Sequence, residues 1–162
     1  MNKKIYFWSP YNSKIGTVNS VLNSARSIKK YSKNILKPYL IDTTGEWGQF
    51  NKELNIIYLR KNKFDLRRIK NKGIFWSRLF FILIFLLNFL KLKNLLKNDK
   101  PDYLIIHLIT SLPLFLYLIF KFDTKLILRI SGEPNLGVVR TLYWKILSKK
   151  IYAVTCPNKK IR

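Results

Sequence analysis

The stretch PDYLIIHLITSLPLFLYLIFKFDTKLILRISGEPN, Pro101 to Asn135, decides the fold. Tyr103-Leu-Ile-Ile-His-Leu108 is an apolar run of strand length. Ser111-Leu-Pro113 then sets a capping hydroxyl and a proline where the first turn of a helix falls, and Leu114 to Phe120 continues that helix. Lys125-Leu-Ile-Leu-Arg-Ile130 is a second strand, closed by Ser131-Gly132-Glu133-Pro134. Both strands read as buried on two faces rather than alternating, the pattern of a parallel sheet, and a parallel pair requires a helical crossover of this kind. In open parallel sheets ligands lie beyond the carboxyl ends of the strands, so His107 and the Ser131-Gly132-Glu133 turn are predicted to face one site.

Toward the amino terminus the same alternation recurs. Lys3 to Trp8 is a first strand, and its apolar core from Ile5 is too short for the hydrophobic part of a signal peptide. After a polar loop come Gly16 and Thr17, and Val18, Leu22, Ala25 and Ile28 follow at helical spacing as far as Tyr31. A glycine at the mouth of this helix lets a phosphate or sugar approach free backbone N–H groups at the positive end of the helix dipole. An ordinary strand-to-helix turn accounts for it equally, since the Gly-x-Gly-x-x-Gly pattern is missing. Pro38 to Asp42 is a second strand, with Pro38 acceptable at its first residue but not in its middle. Thr43 to Gly48 is a loop, Asn55 to Arg60 a third strand, and Lys61 to Lys72 a basic, solvated connection.

Ile74 to Lys97 is a long helix with an unbroken apolar run from Leu79 to Leu87. It packs on the sheet, or it sinks partly into a membrane surface with Trp76, Phe80, Phe81 and Phe85 as anchors and Arg78, Lys91, Lys93 and Lys97 at the headgroups. Beyond the central stretch, Gly137 to Lys150 is a helix and Ile151 to Thr155 a last strand. Six strands alternating with helices predict one α/β domain over residues 1–162, a doubly wound, mostly parallel sheet.

The chain carries 31 Lys and Arg against 8 Asp and Glu, a formal charge of +23, which attracts something anionic. Lysine dominates over arginine and is spread along the chain, and the aromatics fall inside apolar runs, so an anionic membrane surface is expected and a nucleic acid is not. A Lys, Asn and Ile bias can also come from coding composition. The single cysteine, Cys156, excludes a disulfide framework, and no His/Cys cluster offers a metal site, which together point to the cytoplasm.

These residues resemble a family. Gly16 with the Val21-Leu22, Ala25 and Ile28 helix, Lys100-Pro-Asp-Tyr-Leu-Ile-Ile-His107, Leu126-Ile-Leu-Arg-Ile-Ser-Gly132 and Lys150-Ile-Tyr-Ala-Val-Thr155 are similar, in order and spacing, to the amino-terminal half of bacterial GT-B glycosyltransferases of the glycosyl-transferase group 4 family. The resemblance implies a Rossmann-like, acceptor-side domain of an enzyme that transfers a sugar from a nucleotide sugar to a lipid-linked or polysaccharide acceptor in surface-polysaccharide synthesis. The chain would sit peripherally on the cytoplasmic face of the membrane and be inactive without a second, nucleotide-sugar half. No cofactor is implied besides the donor nucleotide sugar. Gly16 and Thr17 would lie by the donor phosphates, and His107 would stand where the family has an active-site histidine. Many members have two glycines where this chain has Ile15-Gly16, and His-x-His where it has His107-Leu108-Ile109.

His107 is read either as catalytic or as a hydrogen-bonded structural residue. Arg129 and Glu133, flanking Ser131-Gly132, either bind substrate or pair with each other. Two rivals to sugar transfer remain open. One is an integral membrane protein spanning at Ile74 to Leu96 and Tyr103 to Phe120, and the other is a basic nucleic-acid-binding protein.

Overall fold

A computed structural model describes residues 2–11, 16–33, 35–60, 74–107, 111–130 and 138–156. Its strands are β1 (Lys3–Trp8), β2 (Leu36–Asp42), β3 (Asn55–Tyr58), β4 (Tyr103–His107), β5 (Lys125–Arg129) and β6 (Ala153–Thr155). The helices are α1 (Gly16–Tyr31), α2 (Ile74–Asp99), α3 (Ser111–Ile119) and α4 (Val138–Ser148), and a single 3₁₀ turn spans Gly48–Phe50. Every pairing is parallel, and the strand order is β3-β2-β1-β4-β5-β6. The chain thus winds outward from β1 in one direction and from β4 in the other, so the order reverses between β1 and β4.

Right-handed crossovers in opposite directions must put their helices on opposite faces. On one face α1 buries Val18, Val21, Leu22 and Ala25 against Ile5, Phe7 and Leu40. On the other, α2, α3 and α4 cover Tyr6, Trp8, Leu104, Ile106, Leu126 and Leu128 with Phe80, Ile84, Leu92, Leu96, Leu112, Leu116 and Leu147. At the amino edge Asp102 accepts the Lys4 backbone N–H at 2.8 Å, and its carbonyl accepts the Lys125 N–H at 3.0 Å, which ties the starts of three adjacent strands together.

Three expectations need correction. Strands β4 and β5 are not buried evenly on two faces: Leu104, Ile106, Leu126 and Leu128 are sealed, whereas on the α1 side His107 is buried but Tyr103, Ile105, Ile127 and Arg129 are only half-buried. The cause is topological, because α1 lies over β1 and β2 and no described helix crosses that side of β5 and β6. Second, Pro38 is the third residue of β2, not its first. It is tolerated because β3 begins opposite Tyr39, so at Pro38 there is no ladder on that side to interrupt. Third, Tyr103 to Phe120 is a strand and a nine-residue helix, not a membrane span. The basic connection from Lys61 to Lys72 lies outside the described residues.

Candidate functional site

The carboxyl ends of β1, β4, β5 and β6 form one rim, and the helix that follows β1 begins on it. Strand pairing sets His107 beside Arg129, and Arg129 beside Thr155. Alternation along β4 and β5 turns His107 and Arg129 to the α1 side, with Ile105 and Ile127 two residues below them. Gly16 opens α1 at the same edge, so the parallel topology brings Gly16, His107 and Arg129 to one end of the sheet. The side-chain surroundings of Thr17, and the Ser131-Gly132-Glu133 turn with its expected Arg129–Glu133 pairing, lie outside the described residues.

His107 is 3% exposed and packs against Phe7, with ring centroids 6.1 Å apart. Burial, and then the adjacent Arg129 charge, push its pKa down to about 4, so the imidazole is neutral at physiological pH. Its Nε2 is buried and meets no hydrogen-bond partner among the described residues. A neutral imidazole so placed is a poor proton acceptor and a ready hydrogen-bonding group for a ligand hydroxyl. Arg129 reaches from β5 across to α1, where its Nη1 donates to the Ser24 hydroxyl. Ser24 in turn donates to the Ser20 carbonyl one helical turn back, at 2.7 Å.

Between α1 and the half-covered side of β4, β5 and β6 runs a groove of about 540 Å³. Phe7, Ile105 and Ile127 make its floor, Asn23, Ser24 and Ser27 its α1 wall, and Arg129, Thr155 and Cys156 its far end. Sequence reasoning reached Arg129 but not the α1 serines or Thr155. The signal available was small polar residues at Ser20, Ser24 and Ser27, a stripe that a helix packed wholly against a sheet would fill with apolar side chains.

A second polar cluster closes the other side of α1. The segment after β2, read from sequence as a loop, is a buried turn in which Glu46 is fully enclosed. Its carboxylate accepts the Thr43 and Thr44 backbone N–H groups at 3.0 and 2.6 Å and both threonine hydroxyls at 2.8 and 2.9 Å. Asp42 accepts from the Gly45 and Trp47 N–H groups, and the Tyr11 hydroxyl donates to the Glu46 carbonyl at 2.6 Å. Gly45 sits at φ 91°, a conformation that glycine reaches without strain. Burial, and then the neighbouring Asp42 charge, push the Glu46 carboxyl up to about 7.

No known family profile matches the chain, and no characterised protein matches it in sequence.

Proposed function

We propose that this chain is the acceptor-side half of a GT-B-type sugar transferase, taking a lipid-linked or polysaccharide acceptor at the rim between β1 and β5 while a separate half holds the nucleotide sugar. The observation that carries this reading is the pairing of His107 with Arg129 on adjacent strand ends, beside the groove along α1. That arrangement offers a neutral hydrogen-bonding imidazole, a fixed cation and several hydroxyls over an apolar floor, which suits a hydroxylated ring carrying negative charge. His107 orients an acceptor hydroxyl in this scheme, and Arg129 holds the charged part of a substrate. In this scheme the amino-terminal end of α1 at Gly16 takes the donor phosphates.

Attachment to the inner face of the membrane belongs to the same proposal. On α2, Phe80, Ile84, Asn88, Leu92 and Leu96 turn inward, while Ile82, Leu86 and Leu90 form a stripe of exposed apolar residues. The stretch Arg78–Asp99 is long enough to cross a bilayer and contains an 18-residue window with a mean hydropathy of 2.0, but its inward stripe is part of the core over β1 and β4. A helix that is core on one side and apolar on the other lies in an interface rather than across it.

The test is transfer of radiolabel from a panel of nucleotide sugars to a bacterial lipid extract, by the purified chain and by the chain supplied with a nucleotide-sugar-binding half. Labelled lipid only in the second case, reduced by Arg129→Ala, is the expected result. Transfer by the chain alone, or by neither preparation, contradicts the proposal.

A further inference from the structure

We infer that the groove between α1 and β5–β6 is an anion subsite, and that it takes the phosphate of a phosphorylated sugar or polyol. Arg129 is the only ionised group among its described lining residues, and no carboxylate pairs with it among the described ion pairs. A guanidinium presents a planar fork of donors matched to phosphate oxygens, and one of its nitrogens is held toward α1 by Ser24, which fixes the plane of the fork. Around it stand the hydroxyls of Ser27 and Thr155 and the amide of Asn23, able to donate to phosphate or sugar oxygens, while the Ser24 hydroxyl already donates to the Ser20 carbonyl. The floor of Phe7, Ile105 and Ile127 is apolar and broad enough to take the flat side of a sugar ring. About 540 Å³ lies within the range of small-molecule sites. His107, paired with Arg129 on the neighbouring strand end, does not line the groove; its Nε2 is buried and meets no partner among the described residues.

Only the identity of the ligand's body rests on the sugar-transfer reading; the anion subsite rests on Arg129 and the groove. The phosphate could belong to a free phosphomonoester or to the diester of a lipid headgroup, and the two are tested side by side. A chain of charge +23 attracts any anion, so the binding must also be located. Cys156, the one cysteine of the chain, lines the groove and supplies that readout.

The experiment is calorimetric titration of the full chain with glucose 1-phosphate, glycerophosphoglycerol, inorganic phosphate and glucose, each repeated as protection of Cys156 from a neutral maleimide. Saturable binding with protection is expected from one of the two organic phosphates at lower concentration than from inorganic phosphate, and none from glucose. The better of the two identifies the source of the phosphate. Arg129→Ala should weaken binding about tenfold, the loss of one charge-assisted contact. Ser27→Asp, a change on the exposed wall of α1, should do the same by repulsion without touching the arginine. Binding without protection of Cys156, binding unchanged in both variants, or no saturable binding of either organic phosphate overturns the inference. None of these outcomes depends on turnover, so the subsite can stand if sugar transfer fails, and fall if it succeeds.

Discussion

Arg129 on β5 and Ser24 on α1, 105 residues apart in the chain, are joined by a hydrogen bond that bridges the groove. It ties α1 to the β4–β6 half of the sheet, and it holds the cation that the proposed site depends on. The consequences are energetic as well as functional.

Ser24→Ala should cost little stability. The lost hydrogen bond is worth about 1 kcal/mol, and the better helix propensity of alanine returns about half of that. Chemical denaturation should therefore show a loss below about 1 kcal/mol, while Arg129, released from its anchor, binds anions less tightly. A loss of several kcal/mol would mean that the bridge holds α1 in place rather than the arginine.

Glu46 and His107 pull the stability–pH curve in opposite directions. Glu46 holds its proton in the folded state up to about 7 and releases it near the ordinary carboxylate value when unfolded, so its contribution is complete below 4.5 and is lost as pH rises toward 7. His107 has a folded pKa of about 4 against 6.5 unfolded, so its contribution is present above 6.5 and lost as pH falls through 4. Between pH 4.5 and 6.5 the two slopes, each at most about 1.4 kcal/mol per unit, oppose each other and the wild-type curve should be nearly flat. His107→Ala should uncover a decline with rising pH, and Glu46→Gln an increase, whatever each change does to absolute stability. Urea midpoints across this window decide it, and parallel curves for all three proteins would contradict both assignments.

How much of this was legible beforehand follows from what each signal measures. Apolar runs of strand length, separated by helical spacing, gave all six strands and the parallel topology within a few residues, because burial on the sheet's covered face is written into Leu104, Ile106, Leu126 and Leu128. Such runs do not report whether the opposite face has a cover. Ile105 and Ile127 read as core but line an open groove for that reason. Strand ends expose His107 and Arg129 as candidates by position alone, whereas Asn23, Ser24 and Ser27 become site residues only once α1 is rotated against β5, which no local pattern encodes. Glu46 does not stand out in sequence because carboxylates are seldom buried, and only the four donors of Thr43 and Thr44 make its burial tolerable.

Asn88 is a polar residue sealed in the core face of α2. Its Nδ2 donates to the Ile84 carbonyl at 3.0 Å, while its Oδ1 meets no donor among the described residues. Replacing it with the near-isosteric leucine removes a buried unpaired acceptor, and Asn88→Leu should raise stability by about 1 kcal/mol. A thermal melt showing a loss instead would place a partner for Oδ1 that holds it in the folded state.

Membrane association should depend on charge and on the α2 stripe together. Each lysine near an anionic surface contributes up to about 1 kcal/mol before screening, so binding to phosphatidylglycerol vesicles should exceed binding to neutral vesicles and weaken with salt. Leu86→Glu, at a side chain 67% exposed, should weaken it further without changing the melting temperature. Equal affinity for neutral and anionic vesicles at low salt would remove the electrostatic part of the account. Retention in the membrane pellet after carbonate extraction would show a spanning rather than a peripheral helix.

The sheet rim is tested most directly at Arg129, because His107 is buried against Phe7 and its removal perturbs packing along with chemistry. In the transferase proposed above, Arg129→Lys keeps the charge and loses the planar fork, and Arg129→Ala loses both. The deciding measurement is the initial rate of labelled-sugar transfer for wild type and these two variants, taken with their melting temperatures. The account predicts melting within a few degrees of wild type and a rate that falls from wild type to lysine to alanine, by about tenfold or more overall. Full transfer activity in Arg129→Ala at unchanged stability would contradict it.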